Sequence, residues 1–186
     1  MNEPASEQTT PVVPAPAIPT TLRGEQVLLH PVTSDHVAQL REILATPQVR
    51  DRWGDEAASD RWPFDDPSVE RYAVIVDDTV VGMIQYGEED DPAYRHASID
   101  IFLDPAAHGR GIGRDAVRTL TRHLIHDLGH HRLVIDPAVD NVAAIRCYAS
   151  VGFRPVGVMR SYEADVDAET WHDGLLMDLL AVEFES

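Results

Sequence analysis

The sequence predicts a mixed α/β domain whose sheet is closed by crossover helices in its second half. Three observations carry that expectation. Strand-like runs occur at 23–32, 71–88, 95–104, 131–137 and from 153 onward. Helical spacing appears at 33–47, 114–129 and 141–152, and the last two patterns each end at a glycine. The resulting order is strand, helices, three strands, helix, strand, helix, two strands. That is not the regular alternation of a doubly wound fold.

Each element has a local cause. "RGEQVLLHPV" reads as a strand leading into "TSDHVAQLREILATP", where Thr33 or Ser34 can cap a helix with Val37, Leu40, Ile43 and Leu44 on one face. Pro47 is expected to stop it, with an irregular, acidic, aromatic stretch running to about residue 68. "RYAVIVDDTVVGMIQYGE" predicts a hairpin turning at Asp77–Asp78. "RHASIDIFLD" alternates as a further strand and ends at Asp104–Pro105. In the next helix Val117, Leu120, Leu124, Ile125 and Leu128 share a face, with Gly129 as the stop. "HRLVIDP" is a short buried strand. "NVAAIRCYASVG" is a helix capped by Asn141 or Asp140 and stopped by Gly152. "FRPVGVMRSYE" and "HDGLLMDLLAVEF" form a closing strand pair.

Composition narrows the partners. The 186 residues suit one domain at 21–186, preceded by a disordered Pro-rich tail at 1–20 that lacks secretory signal character. No apolar run is long enough to span a bilayer. Cys147 stands alone, which argues against a disulfide framework and favours a cytoplasmic setting. The net charge of −17, with fifteen arginines and no lysine, disfavours nucleic acid and anionic membranes and attracts cations. Acids cluster at 51–66, 87–91 and 162–169. They read as solvated loops or, together, as one wall of a cation-binding cleft. His126, His130 and His131 crowd one helix end without ligand spacing, so no metal site is expected.

"HGRGIGRDA" (108–116) carries the chemistry. Gly109, Gly111 and Gly113 stand where a strand hands over to a helix, flanked by Arg110 and Arg114. Glycines permit unusual dihedrals and close ligand approach, and the first helical amides have no intrahelical acceptor. The loop therefore suits an anion, or is a purely structural glycine turn. It lacks the Lys-Ser/Thr of a P-loop and the spacing of a dinucleotide fingerprint.

With "NVAAIRCYASVGFRPVG" following in order, this loop resembles the pyrophosphate-binding loop of the GCN5-related N-acetyltransferases, and the likeness covers roughly 23–182. His108 departs from the family's usual Gln or Arg. The resemblance implies the family fold: a mostly antiparallel twisted sheet, splayed between its fourth and fifth strands and flanked by about four helices. It also implies acetyl-CoA as cofactor. The pyrophosphate would lie on His108, Gly109, Arg110, Gly111, Ile112, Gly113 and Arg114, and the pantetheine along Ile101, Phe102 and Leu103. Asn141 and Ala144 would lie beside the pantetheine arm, with Tyr148 near the sulfur as a donor to the leaving thiolate. Tyr148 could equally be a packed core ring, and Cys147 reads as a packing residue rather than an acyl carrier.

"ASIDIFLDPAAHGRGIG" and "VIDPAVDNVAAIRCYASVGF" are similar to the aminoglycoside 6′-N-acetyltransferase branch. That likeness implies Asp100 as the carboxylate that binds the 6′-ammonium and serves as base, Asp136 as the holder of a second amine, and Trp53 as an aromatic wall. Trp171 and Asp173 are further candidate acceptor contacts, with Trp53 equally a core residue of the irregular segment and Trp171 equally a stabiliser of the last hairpin. A solvated Asp titrates near ~3.9, so Asp100 either orients the cation beside a water or is raised by burial. Its structural alternative is an ion pair with Arg95 or another arginine, while Asp136 could simply end a strand. The implied partner is a cationic small-molecule amine, in a monomer or homodimer. Other readings are another acceptor (protein N-terminus, polyamine or siderophore-type amine) or a non-catalytic acyl-CoA-binding module.

Overall fold

The computed structural model describes residues 20–54, 59–164 and 169–185. Residues 1–19 of the expected tail, and 55–58 and 165–168 of two acidic clusters, lie outside the described residues. Within them the chain forms β1 (Leu22–Arg23), β2 (Leu28–Pro31), α1 (Val37–Leu44), α2 (Pro47–Trp53), β3 (Val69–Val76), β4 (Thr79–Glu89), β5 (His96–Leu103), α3 (Ile112–His126), β6 (Arg132–Ile135), α4 (Val142–Val151), β7 (Arg154–Ala164) and β8 (Trp171–Leu180). The described strands make one sheet in the order β1-β2-β3-β4-β5-β6-β8-β7. Only β5 and β6 pair in parallel.

One expectation fails at Pro47. It does not end a helix before an irregular stretch but opens α2 as its first residue, behind Thr46 in an extended conformation. Proline has no N–H to lose at that position, and its φ suits the first turn. The predicted hairpin stands at Asp77 and Asp78, both left-handed (φ 48° and 60°), as a tight two-residue turn requires.

The sheet separates two apolar cores. Leu40, Leu44, Trp62, Met83 and Phe102 pack under α1 and α2. Ile84, Ile99, Val117, Leu120 and Tyr148 pack under α3 and α4.

The splay follows from divided loyalties of neighbouring strands. β5 pairs with β6 only at Ala97↔Leu133 and Ser98↔Val134. Beyond that point β5 stays with β4 out to Gly82↔Leu103. The chain after β6 stays instead with β8: Leu175 donates to Pro137 O (2.8 Å), Ala138 bridges Gly174, and Val139 donates to Asp173 O (3.0 Å). The fourth and fifth strands of the expected count are β5 and β6, because the first predicted strand is broken into β1 and β2.

A buried carboxylate fixes α3 against the sheet edge. Asp115, in the first turn of α3 and 8% exposed, accepts backbone N–H bonds from Glu25 (3.0 Å), Gln26 (2.6 Å) and Val27 (3.0 Å). The turn presses so closely that a Cβ on Gly24 would lie 2.6 Å from its Oδ2. Asp115→Ala would orphan these amides and should cost about 2–4 kcal/mol in urea denaturation. A loss under about 1 kcal/mol would mean that water serves the turn equally well.

Candidate active site

The parting of β5 and β6 opens a cavity of about 600 Å³. Its lining includes Trp53, Asp100, Asp136, Asn141 and Tyr148 among the residues singled out by sequence. The start of α3 does not line this cavity but lies against Leu103, at the end of β5. Gly109 (φ 72°) and Gly111 (φ 82°) are left-handed, and Gly111 caps α3 without any side-chain acceptor, so the leading amides stay open. His108, Arg110 and Arg114 are exposed around them, whereas Ile112 is buried in the core. A Cβ on Gly113 would meet Leu103 Cδ1 at 3.3 Å and Cys147 Sγ at 3.6 Å, so α3 begins hard against β5 and α4.

Asp100 projects from β5 on the face of Phe102 and is opposite Gln85 of β4. It does not pair with Arg95, which donates to Leu128 O and Gly129 O at 3.0 Å each. Instead Gln85 Nε2 lies 3.4 Å from Asp100 Oδ2, and Arg71 Nε donates to Gln85 Oε1 (3.0 Å). Phe102 itself is buried under Trp53, edge to face with centroids 4.9 Å apart. Phe102 can therefore offer a passing ligand its backbone but not its ring.

Asn141 caps α4 through its carboxamide oxygen, which accepts from Ala144 N (3.2 Å). Tyr148 is buried, and desolvation raises its pKa, assisted by Cys147, Asp100 and Asp136. Burial also pushes the Cys147 thiol up, against the pull of Arg114, so it stays a protonated thiol.

Two expected acceptor contacts stand elsewhere. Trp171 is 60% exposed, paired with Ala164 at the end of the β7–β8 pair where the two strands connect, and does not line the cavity. Asp173 is spent on the backbone, its Oδ1 accepting from Ser161 N (2.7 Å). Of the three acidic clusters, the first reaches the cavity through Arg52 and Trp53 and the third through Tyr162 and Glu163. The middle one does not: Glu88 contacts the buried His130 instead. Among the described residues no group of three or more His, Cys, Asp or Glu is placed to hold a metal, and no helix is long and apolar enough to cross a membrane.

Sequence reasoning missed Gln85, Arg52, Tyr162 and His172 in this lining. Arg52 bonds to Asp140 (2.5 Å), tying the end of α2 to the start of α4. No local signal could have joined residues that far apart in the chain.

A sheet parted beside an open, glycine-bordered helix start defines an acyl-CoA-dependent transferase. The model of the acetyltransferase (GNAT) family matches residues 37–153, and the chain belongs to that family. It is 28% identical over 161 residues to the aminoglycoside N(6′)-acetyltransferase type 1 of Klebsiella pneumoniae, covering 75% of this chain and 79% of the relative. AAC(6′)-Ib, solved with paromomycin and acetyl-CoA, superposes with TM-score 0.69 at 25% identity, over 86% of this chain and 97% of that one. Mycobacterium smegmatis RimJ in complex with CoA-disulfide gives TM-score 0.75 at 24% identity, over 90% and 88%, a likeness of fold.

Acetyl-CoA is accordingly the cofactor, and the residues present fit it. The helix start offers unshared amides, two arginines lie exposed beside it, and β5 has a free backbone edge beyond Ser98. Gly111→Ala would force a side chain into a left-handed position at a cost of about 1–2 kcal/mol. Calorimetry with CoA should show affinity falling roughly tenfold. Unchanged affinity would place the diphosphate elsewhere.

Proposed function

We propose that the chain transfers an acetyl group to the primary amine of a cationic amino sugar of the aminoglycoside class, at its 6′-amino group, by direct attack in a ternary complex. The observation that carries this reading is a cavity with carboxylates from both sides of the β5–β6 gap, Asp100 from one and Asp136 from the other. Such a wall suits a ligand with several ammonium groups. The similarity to aminoglycoside acetyltransferases, over three-quarters of the chain, supports the same class.

Acetyl-CoA supplies the activated acyl group as a thioester. The chain's own residues hold the reactants and move protons. Amides from Gly109 to Arg114 receive the diphosphate, and the free edge at Ile101–Leu103 aligns the pantetheine arm. Asp100 binds and orients the reacting ammonium, and the proton leaves through Asp100 or a water beside it. Trp53 gives the sugar ring an apolar wall. The Tyr148 hydroxyl keeps its proton and donates a hydrogen bond to the departing sulfur. Cys147, half-buried and with its thiol pushed up by that burial, is left out of the acyl path. Antibiotic resistance and action in the cytoplasm follow from this reading.

The second reading is an acceptor with an α-amino group, such as a peptide N-terminus. Arg52 in the same lining, whose Nη1 meets Asp140, favours a peptide with an acidic side chain close to its N-terminus, since the rest of the guanidinium matches a carboxylate near the amine.

Thiol release from acetyl-CoA, measured with kanamycin-type drugs, peptides and polyamines, should be fastest with the drugs. Asp100→Asn should lower kcat/KM for the best amine by roughly 10²-fold or more with CoA affinity kept. Turnover confined to peptides would move the assignment to the second reading. CoA binding without turnover of any amine would leave a binding module.

A further inference from the structure

The third acidic cluster does something the transfer reaction does not by itself require. Between Met159↔Gly174 and Glu163↔His172, β7 advances four residues while β8 advances two. The surplus is taken up at Ser161, which is left-handed with φ 48°. A non-glycine residue holds that conformation only when its surroundings compel it. Here the compulsion is Asp173, whose carboxylate accepts from Ser161 N (2.7 Å).

The bulge turns Tyr162 back over the sheet. Its ring lies against Gly174, where an added Cβ would sit 2.9 Å from Cδ1, so a side chain at 174 would displace it. Its hydroxyl faces the Asp136 carboxylate in the cavity that both residues line, and that carboxylate is the leading cause of the rise in the phenol's pKa. Asp136 is itself held from behind, because the chain that follows it is stitched to Asp173, Gly174 and Leu175. Asp173 thus fixes both partners, Tyr162 through its carboxylate and the Asp136 segment through its backbone oxygen.

We propose that Tyr162 is a specificity-determining residue that holds the Asp136 carboxylate in place on the acceptor side, so that amines carrying a second ammonium group are favoured over single amines. An unheld carboxylate at a strand end samples several rotamers, and each costs a bound cation part of its ion pair. A carboxylate held by a phenol presents its remaining lone pairs in one direction. The donor is permanent. The bond to Asp136, burial, and the charges of Asp136, Asp100 and Glu163 push the phenol up to about 12, so it never becomes a competing anion at working pH. Tyr162 is about half exposed, which leaves it free to meet the acceptor as well.

This inference rests on acetyl transfer to an amine bound in the cavity, and its test separates the two. Steady-state kinetics would compare a kanamycin-type amino sugar, bearing several amines, with 6-amino-6-deoxyglucose, bearing one, in wild type and Tyr162→Phe. Phenylalanine keeps the ring against Gly174 and loses only the hydroxyl. The expected result is a KM for the multi-amine sugar raised roughly five- to tenfold, with kcat, the KM of the single amine and CoA affinity within about twofold. In an Asp136→Asn background the same substitution should have no further effect, because the pair acts as a unit. Gly174→Ala, which displaces the ring and leaves the hydroxyl intact, should reproduce the KM effect. Equal shifts for both amines, an unchanged KM, or full additivity with Asp136→Asn would overturn the role of Tyr162 alone. Failure of wild type to turn over any amine would overturn the transfer reading and this one with it.

Discussion

The structure depends on how briefly β5 and β6 meet. Two residue pairs hold them parallel, and then each follows its other neighbour. β5 must stay with β4, because their apolar residues build both cores, and the chain past β6 is carried off by β8. A sheet opened in its middle would normally leave costly unpaired amides and carbonyls. Here they face a cleft that a ligand's own amides can fill. In the proposed reading the gap in the hydrogen-bonded ladder and the cofactor channel are one feature.

The two sides of that gap have different physical characters. The cofactor side is built from backbone: left-handed glycines, an uncapped helix start and a strand edge. Asp115 anchors it by gripping the turn before β2, so the helix start does not depend on surface contacts. Recognition by main-chain groups tolerates side-chain change, so in the proposed reading His108 can stand where the family usually has Gln or Arg. The acceptor side is built from side chains on the least regular segments, α2 and the β7–β8 bulge. One side of the gap thereby depends little on side-chain identity, and the other depends on it closely.

This division also sets what could be read from the sequence. The glycine loop, the face of α3, the Asp77–Asp78 turn and the Asn141 cap were legible because each is a local preference written in consecutive residues. Asp100 and Asp136 were legible as acids embedded in strand patterns. α2 was not, because proline is both a helix stop and a favoured first helical residue, and only the packing of Val49 decides between them. Asp173 resembled an acceptor contact in sequence, but a register shift in the last strand pair turned it to the backbone. Trp171 resembled an aromatic wall, yet its place near the end of that pair leaves it in solvent. Tyr162 enters the site through the same shift. A change of register moves whole faces, and nothing local in a strand sequence announces it.

The net charge of −17 is a separate matter from the selectivity of the cavity. Charges spread over the surface act through solvent and are screened beyond about 8 Å at physiological salt, so they chiefly raise the rate at which cations arrive. They cannot distinguish one polyamine from another. Discrimination requires charges fixed in direction and partly withdrawn from water, where an interaction is stronger and depends more sharply on geometry. Asp100, backed by Gln85 and Arg71, and Asp136, held by Tyr162, meet that condition, whereas the acids at 87–91 lie outside the cavity. In the proposed reading the acidic surface gathers ligands, and the paired carboxylates choose among them by the spacing of their amines.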